Sequence, residues 1–303
     1  MMKNLIVKLL EGNNLAIYMS ALIGFFVLAY IIYNSVSYFV LRERYHGIRF
    51  TTKNIAYITM FTAVSVSVTI VISLTAPITV FPPIRIAFEG VMVKITGFIF
   101  GPIVGVIVGL ITEVLVMLFV PSFIHPAFII SVICFGFIAG IGSSFLRVGH
   151  GNNWILMSII NVFLISFTIF IYFVIEYSSH ETFLILNVTM NKNVFKWVFL
   201  SSVLSCTFII WGIFIVMMAT GKRKSLNVAL PILLFATATE YLVTSVISAW
   251  GDSEFLGLSN SADDAYIVML MSRLVQAPLK VVFNTLVLYY TYKAVSPLIK
   301  RDR

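Results

Sequence analysis

The chain has 303 residues, of which 60% are hydrophobic and 11% charged, and its mean hydropathy is +1.04. Soluble domains carry about 45–50% apolar and about 25% charged residues, so the composition excludes an ordinary soluble fold and indicates an all-α, polytopic membrane protein. The net charge of +8 sits in basic clusters between apolar runs, which marks loops facing anionic headgroups and argues against a nucleic-acid surface.

The first residues, 1–14, set Leu5, Ile6, Leu9 and Leu10 against Lys3, Lys8 and Glu11, an amphipathic start expected at the membrane surface. No cleavable signal peptide is expected, because the first apolar run is too long and lacks a small-residue cleavage site. Leu15 to Leu41 is long enough to span with tilt, and Arg42, Arg44, Arg49 and Lys53 then form the densest basic loop. Ile55 to Leu74 is the second span; Thr59, Ala63 and Ser67 recur along it at every fourth position, a stripe that admits another helix at close range. Thr75 to Ile84, with Pro77, Pro82 and Pro83, reads as an external loop. Ile86 to Phe100 and Ile103 to Val120 follow as two short spans joined by a Gly101-Pro102 turn, with Gly97, Gly101, Gly105 and Gly109 four residues apart. Pro121 to Pro126 is the next external loop, and Ala127 to Leu146 returns inward to Arg147.

Trp154 to Ile175 and Phe195 to Met218 form a hairpin whose outer loop carries Glu176, His180, Glu181 and Lys192, with Lys196 just inside the second helix. Val228 to Trp250 leads to an acidic outer loop of Asp252, Glu254, Asp263 and Asp264; Tyr266 to Lys293 returns to a basic tail of Lys300, Arg301 and Arg303. These nine stretches compare with the ~20 apolar residues needed to cross the hydrocarbon. With the N-terminus outside and the C-terminus cytoplasmic, every basic cluster (42–53, 147, 222–224 and 293–303) falls inside, and the acidic loop falls outside.

Ionisable residues in or near spans are costly, so each is a site candidate: Arg85, Glu89, Lys94, Glu113, Glu240, Arg273 and Lys280. Arg85, Glu89, Glu113 and Arg273 fall in the outer halves, with His125 in a loop above them and Glu240 nearer the middle. Phe81, Phe88, Phe123, Phe128 and Trp250 share their level, and mixed charge beside aromatics suits a planar, polar-edged solute. Plainer readings compete. Glu113 with Arg273 is equally a buried structural pair; Lys94 and Lys280 read as snorkelling to the cytoplasmic face; His125 reads as an ordinary surface histidine; Trp250 reads as an interfacial anchor; the glycine ladder reads as helix packing. No P-loop, H-E-x-x-H, G-x-S-x-G or Cys/His cluster occurs, and the two cysteines, Cys134 and Cys206, lie inside apolar runs as packed thiols. No catalytic residue, metal or cofactor is expected.

The stretch Arg85-Ile86-Ala87-Phe88, Gly101-Pro102 with Gly105 and Gly109, Glu113, Pro121, and His125-Pro126-Ala127-Phe128 with Ser131 and Gly136 resembles the substrate-binding S component of energy-coupling factor (ECF) vitamin transporters, closest to the folate type. Arg273-Leu274-Val275-Gln276 with Pro278 resembles that family's final helix, and Thr59 and Ala63 fall where S components carry a docking motif. The resemblance covers residues 54–147 and 229–293. It departs from the family at Thr59, which replaces an alanine, at Ala127, which replaces a glycine, and in the longer loop Gly251 to Asp264; Tyr241-Leu242-Val243-Thr244-Ser245 only faintly matches the folate-type run.

The resemblance implies a six-helix core with about three additional transmembrane helices. It divides the chain into residues 1–53 (additional helix and basic loop), 54–147 (core helices 1–4), 148–228 (inserted hairpin) and 229–303 (core helices 5–6 and tail). It implies high-affinity uptake of folate or a related pterin. Arg85 and Arg273 would meet ligand carboxylate or carbonyl oxygens, Glu113 amino-pterin N–H groups, and Phe88, Phe128 and Trp250 the ring, with Glu89 and His125 completing the pocket. Thr59, Ala63 and Ser67 would dock on a transmembrane coupling protein that carries two ATPases, which would hydrolyse the ATP. A riboflavin or flavin-nucleotide ligand is the alternative within the family. An ion-coupled secondary transporter using Glu89, Glu113 and Glu240 is the alternative outside it; a membrane-embedded enzyme or assembly factor has no nucleophile or metal cluster to support it.

Overall fold

The computed structural model describes residues 8, 12–39, 52–75, 82–119, 124–148, 153–178, 181–185, 188–255 and 262–300. In chain order these form α1 (Asn14–Phe39), α2 (Thr52–Thr75), α3 (Pro82–Phe100), α4 (Pro102–Phe119), α5 (Pro126–Val148), α6 (Asn153–Tyr177), β1 (Thr182–Ile185), β2 (Val188–Asn191), α7 (Lys192–Ala219), α8 (Arg223–Ala238), a π-helix (Thr239–Ile247), α9 (Ser248–Phe255) and α10 (Ala262–Lys300). Eight helical spans among the described residues are long and apolar enough to cross a bilayer, and α3 contributes a shorter apolar helix, Gly90–Phe100. The chain is therefore a helical, multi-pass membrane protein.

The expected spans are all present as helices, with several changes at their ends; the last one runs from Ala262 to Lys300, so Asp263, Asp264 and Lys300 lie in the helix rather than in the expected loop and tail. Pro82 and Pro83, expected in a loop, open α3 instead; proline is tolerated in a first turn, where the missing N–H has no helical partner anyway. The helix expected to end at Trp250 runs on through the π-helix and α9 to Phe255. The outer loop of the hairpin contains a two-stranded antiparallel ribbon, with Thr182 opposite Asn191 and Ile185 opposite Val188.

The chain forms two compact units. One unit comprises residues 18–144 and 290–303. Here α2, α3 and α4 pack on one another, and the glycines explain how closely. Gly101 ends α3 with φ 99°, a left-handed conformation that favours glycine, and Pro102 opens α4. A Cβ added at Gly97 or Gly105 would press on the Gly136 carbonyl of α5, and one at Gly140 would press on Pro102. The four-residue ladder is thus no single stripe: Gly97 lies on α3, Gly101 makes the turn, and Gly105 and Gly109 lie on α4. The packing reading of the ladder holds for Gly97 and Gly105, which let backbones approach without side chains between them. The Thr112 hydroxyl donates to Ser65 Oγ at 3.2 Å across α2 and α4, and the rings of Phe61 and Phe100 meet edge to face at 5.7 Å.

The other unit comprises residues 1–17 and 145–289. The pair α6–α7, expected as an insertion, belongs to this unit together with α8 and the π-helix, and α8 packs on both members of the pair. The span from Ser225 to Glu254 is the most enclosed of the eight, most of its residues buried. At the ribbon end, the Lys192 ammonium donates to the carbonyls of Glu176 (2.6 Å) and Ser178 (2.7 Å), and Lys196 pairs with the Glu176 carboxylate. A cation there satisfies orphan carbonyls at the C-terminus of α6 and opposes its dipole.

Candidate functional site

The densest buried chemistry lies within the second unit, around the π-helix. The segment Thr239-Glu240-Tyr241-Leu242-Val243-Thr244-Ser245-Val246-Ile247 is rich in β-branched residues, which lose rotamer freedom in an α-helix. Its hydroxyls also compete for backbone: Thr239 donates to the Ala236 carbonyl at 3.0 Å and Ser245 to the Glu240 carbonyl at 2.8 Å. Widened π turns of this kind occur disproportionately at functional sites.

Glu240 and Asn284 are both 0% exposed, and the Asn284 amide donates to Glu240 Oε1 at 2.6 Å. Arg273 is 1% exposed; one Nη pairs with the Asp252 carboxylate and the other donates to the Thr244 carbonyl at 2.5 Å. Lys280 is buried on the same helix. Arg273, Lys280 and Asn284 are spaced by seven and four, so α10 presents them along one stripe, with Ala277 between. The unit thus encloses two acidic side chains, Glu240 and Asp252, with two basic ones, Lys280 and Arg273. Arg273 Nε, Thr244 Oγ1 and Asn284 Oδ1 have no hydrogen-bond partner among the described residues. Tyr241 faces elsewhere, its ring 5.0 Å from that of Phe167 on α6.

The residues expected to form the site are shared between the units. Arg85, Phe88 and Glu89 fall in the first turns of α3, and their side chains, with Phe81 and Phe123, lie outside the described residues. Glu113 is half-buried on α4 and Phe128 half-buried on α5. His125 corrects the surface reading: it is 5% exposed and caps α5, its Nδ1 accepting from the Ala127 N–H at 3.2 Å. Arg273 pairs with Asp252 of α9 in its own unit, in place of the expected structural pair with Glu113. Trp250 is half-buried and donates to Glu254 at 2.7 Å, so its indole N–H is held by a protein carboxylate. Neither interior lysine snorkels: Lys94 is 0% exposed with its ammonium 4.4 Å from the Phe135 ring centre, and Lys280 is 8% exposed. Thr59, Ala63 and Ser67 are all exposed along α2.

Sequence reasoning missed Asp252, Thr244 and Asn284. Asp252 was grouped with an acidic loop, and only the fold shows that it is buried. The Arg273–Lys280–Asn284 spacing was the available signal for Asn284. Among the described residues no group of three His, Cys, Asp or Glu side chains forms a metal cage. Comparison with protein-family models, curated proteins and solved structures finds no match to this chain.

Proposed function

We propose that the chain is the substrate-binding S component of an ECF-type importer, taking up a folate-like pterin. The reading rests on the ordered motifs of residues 85–136 and 273–278, and one observation of the structure supports it. Thr59, Ala63 and Ser67 leave a row of small side chains exposed along α2, the property that docking on a coupling protein requires. ATP hydrolysis belongs to two partner ATPases, since the chain carries no P-loop. In this reading the N-terminus is outside and the basic loops face the cytoplasm. In the roles the resemblance implies, Arg85, Phe88, Glu89, Glu113, His125 and Phe128 of the first unit would receive the ligand, while Trp250 and Arg273 of the second unit are engaged with Glu254 and Asp252.

The test is co-purification. A tagged chain expressed in its own cell membrane should bring down a transmembrane coupling protein and two ATPases. Ala63→Leu, which fills the small-residue stripe without adding charge, should lose them while the chain remains folded. Recovery of the chain alone at every expression level, or an undiminished complex with Ala63→Leu, would contradict the docking assignment.

A second reading is favoured by a different observation. Glu240 is wholly buried beside Asn284 in a π-helix, and an interior carboxylate is the usual carrier in ion-coupled transport. It predicts solute uptake by the chain alone in liposomes, driven by an ion gradient and abolished by Glu240→Gln.

A further inference from the structure

We propose that the basic end of the α6–α7 pair is a binding site for an anionic phospholipid, with one acyl chain seated along α6 and the headgroup held by Lys222 and Arg223. The site is independent of the solute that the chain transports. Trp154, Ile155, Ser158, Ile159, Val162 and Phe163 line a recess of about 480 Å³ on α6. Their three- and four-residue spacing places them on one stripe of the helix, and all but Phe163 are exposed. The Ser158 hydroxyl and the Trp154 indole N–H are the only polar side-chain groups in this lining. Helices approach one another in a bilayer over small residues. This stripe instead carries large branched and aromatic side chains, with no glycine or alanine among them. A flexible acyl chain follows such a surface, where a rigid helix would ride over it.

The headgroup end is set by the neighbouring helices of the same unit. The Trp154 ring lies 5.1 Å from that of Phe214 and 6.3 Å from that of Trp211, both on α7. Helix α7 ends at Ala219, five residues past Phe214 and about 8 Å further along the axis. Gly221, at φ 69°, then turns the chain into α8, which opens at Arg223 and packs on both α6 and α7. The headgroup layer is about 5–8 Å thick in each leaflet. With Trp154 at the interface, where such rings anchor, Lys222 and Arg223 stand at the height of the phosphates. Both are exposed and make no ion pair among the described residues. No Asp or Glu occurs in residues 114–175 or 182–239. Cations at the start of α8 also oppose its dipole, so they do not serve the helix. Their complement is a negative charge from outside the chain, and an anionic headgroup above an apolar recess supplies it.

The experiment reconstitutes the full chain in vesicles of dioleoyl phosphatidylcholine and adds either phosphatidylglycerol or phosphatidylcholine with brominated acyl chains, which quench nearby tryptophan. The signal that counts is the quenching that Trp154→Phe removes. Wild type should select phosphatidylglycerol over phosphatidylcholine about ten-fold, since each basic residue near an anionic headgroup contributes about five-fold. The exposed double variant Lys222→Gln with Arg223→Gln should bring the two lipids within about two-fold. Val162→Phe, which narrows the recess and leaves the charges in place, should weaken phosphatidylglycerol about three-fold or more. Equal quenching by the two lipids in wild type, or a preference that survives the double variant, overturns the headgroup assignment. Unchanged binding in Val162→Phe overturns the seating of the acyl chain. Quenching by neither lipid means that another protein chain covers the recess, and it overturns the site as well.

Discussion

Removing the Asp252 carboxylate should be the most damaging small change in the second unit. Arg273 is 1% exposed and the Asp252 side chain 8% exposed, and the carboxylate is the only acidic partner that the described residues give this guanidinium. Asp252→Ala leaves a buried cation uncompensated, which costs about 3–5 kcal/mol. At 1.4 kcal/mol per factor of ten, that is roughly a hundred- to several-thousand-fold shift in the unfolding equilibrium. The double variant Asp252→Leu with Arg273→Met removes both charges and fills the space with apolar groups. Such replacements are often neutral or stabilising, so the double variant should lie within about 1 kcal/mol of wild type. The assay is reversible unfolding in mixed detergent–SDS micelles, followed by tryptophan fluorescence. A loss below about 1 kcal/mol for Asp252→Ala, or a double variant as unstable as the single, would refute a dry, mutually compensating pair.

Three further outcomes follow from the packing. Gly136→Ala should destabilise the first unit by about 1–3 kcal/mol or more, because its Cβ meets the Gly105 backbone, whereas Gly212→Ala, with nothing within 4 Å, should be neutral in the same unfolding assay. His125→Ala should cost about 0.5–2 kcal/mol by uncapping α5, and His125→Asn should restore most of it. Lys192→Met should speed amide exchange at the end of α6 and lower stability by about 1 kcal/mol, since two carbonyls there lose their donor.

The spans were legible because apolar length is a local property: Ile55 to Leu74 and Pro102 to Phe119 need no partner to be recognised. The tight turn was legible for the same reason, since Gly101-Pro102 carries its own conformational demand. Asp252 was not, because a carboxylate beside Gly251 and ahead of further acids looks the same in a loop and in a buried pair. Its partner, Arg273, lies 21 positions away, and no periodicity connects them. The lysines misled in a related way. A long side chain near a span end can reach water, and only the surrounding packing decides that Lys94 meets Phe135 instead. The π-helix was also hidden: its residues suit a strand as well as a distorted helix, and the flanking apolar runs decide between them.

The central proposal is vitamin capture, and native mass spectrometry of the chain purified from cells grown in rich medium tests it most directly. An S component holds its ligand through purification, so the account predicts a bound mass equal to folate or a related pterin, with the matching absorbance. A flavin mass would keep the importer and replace the ligand. A chain free of any bound vitamin, which also fails to take up folate or riboflavin when either is added, would contradict the account.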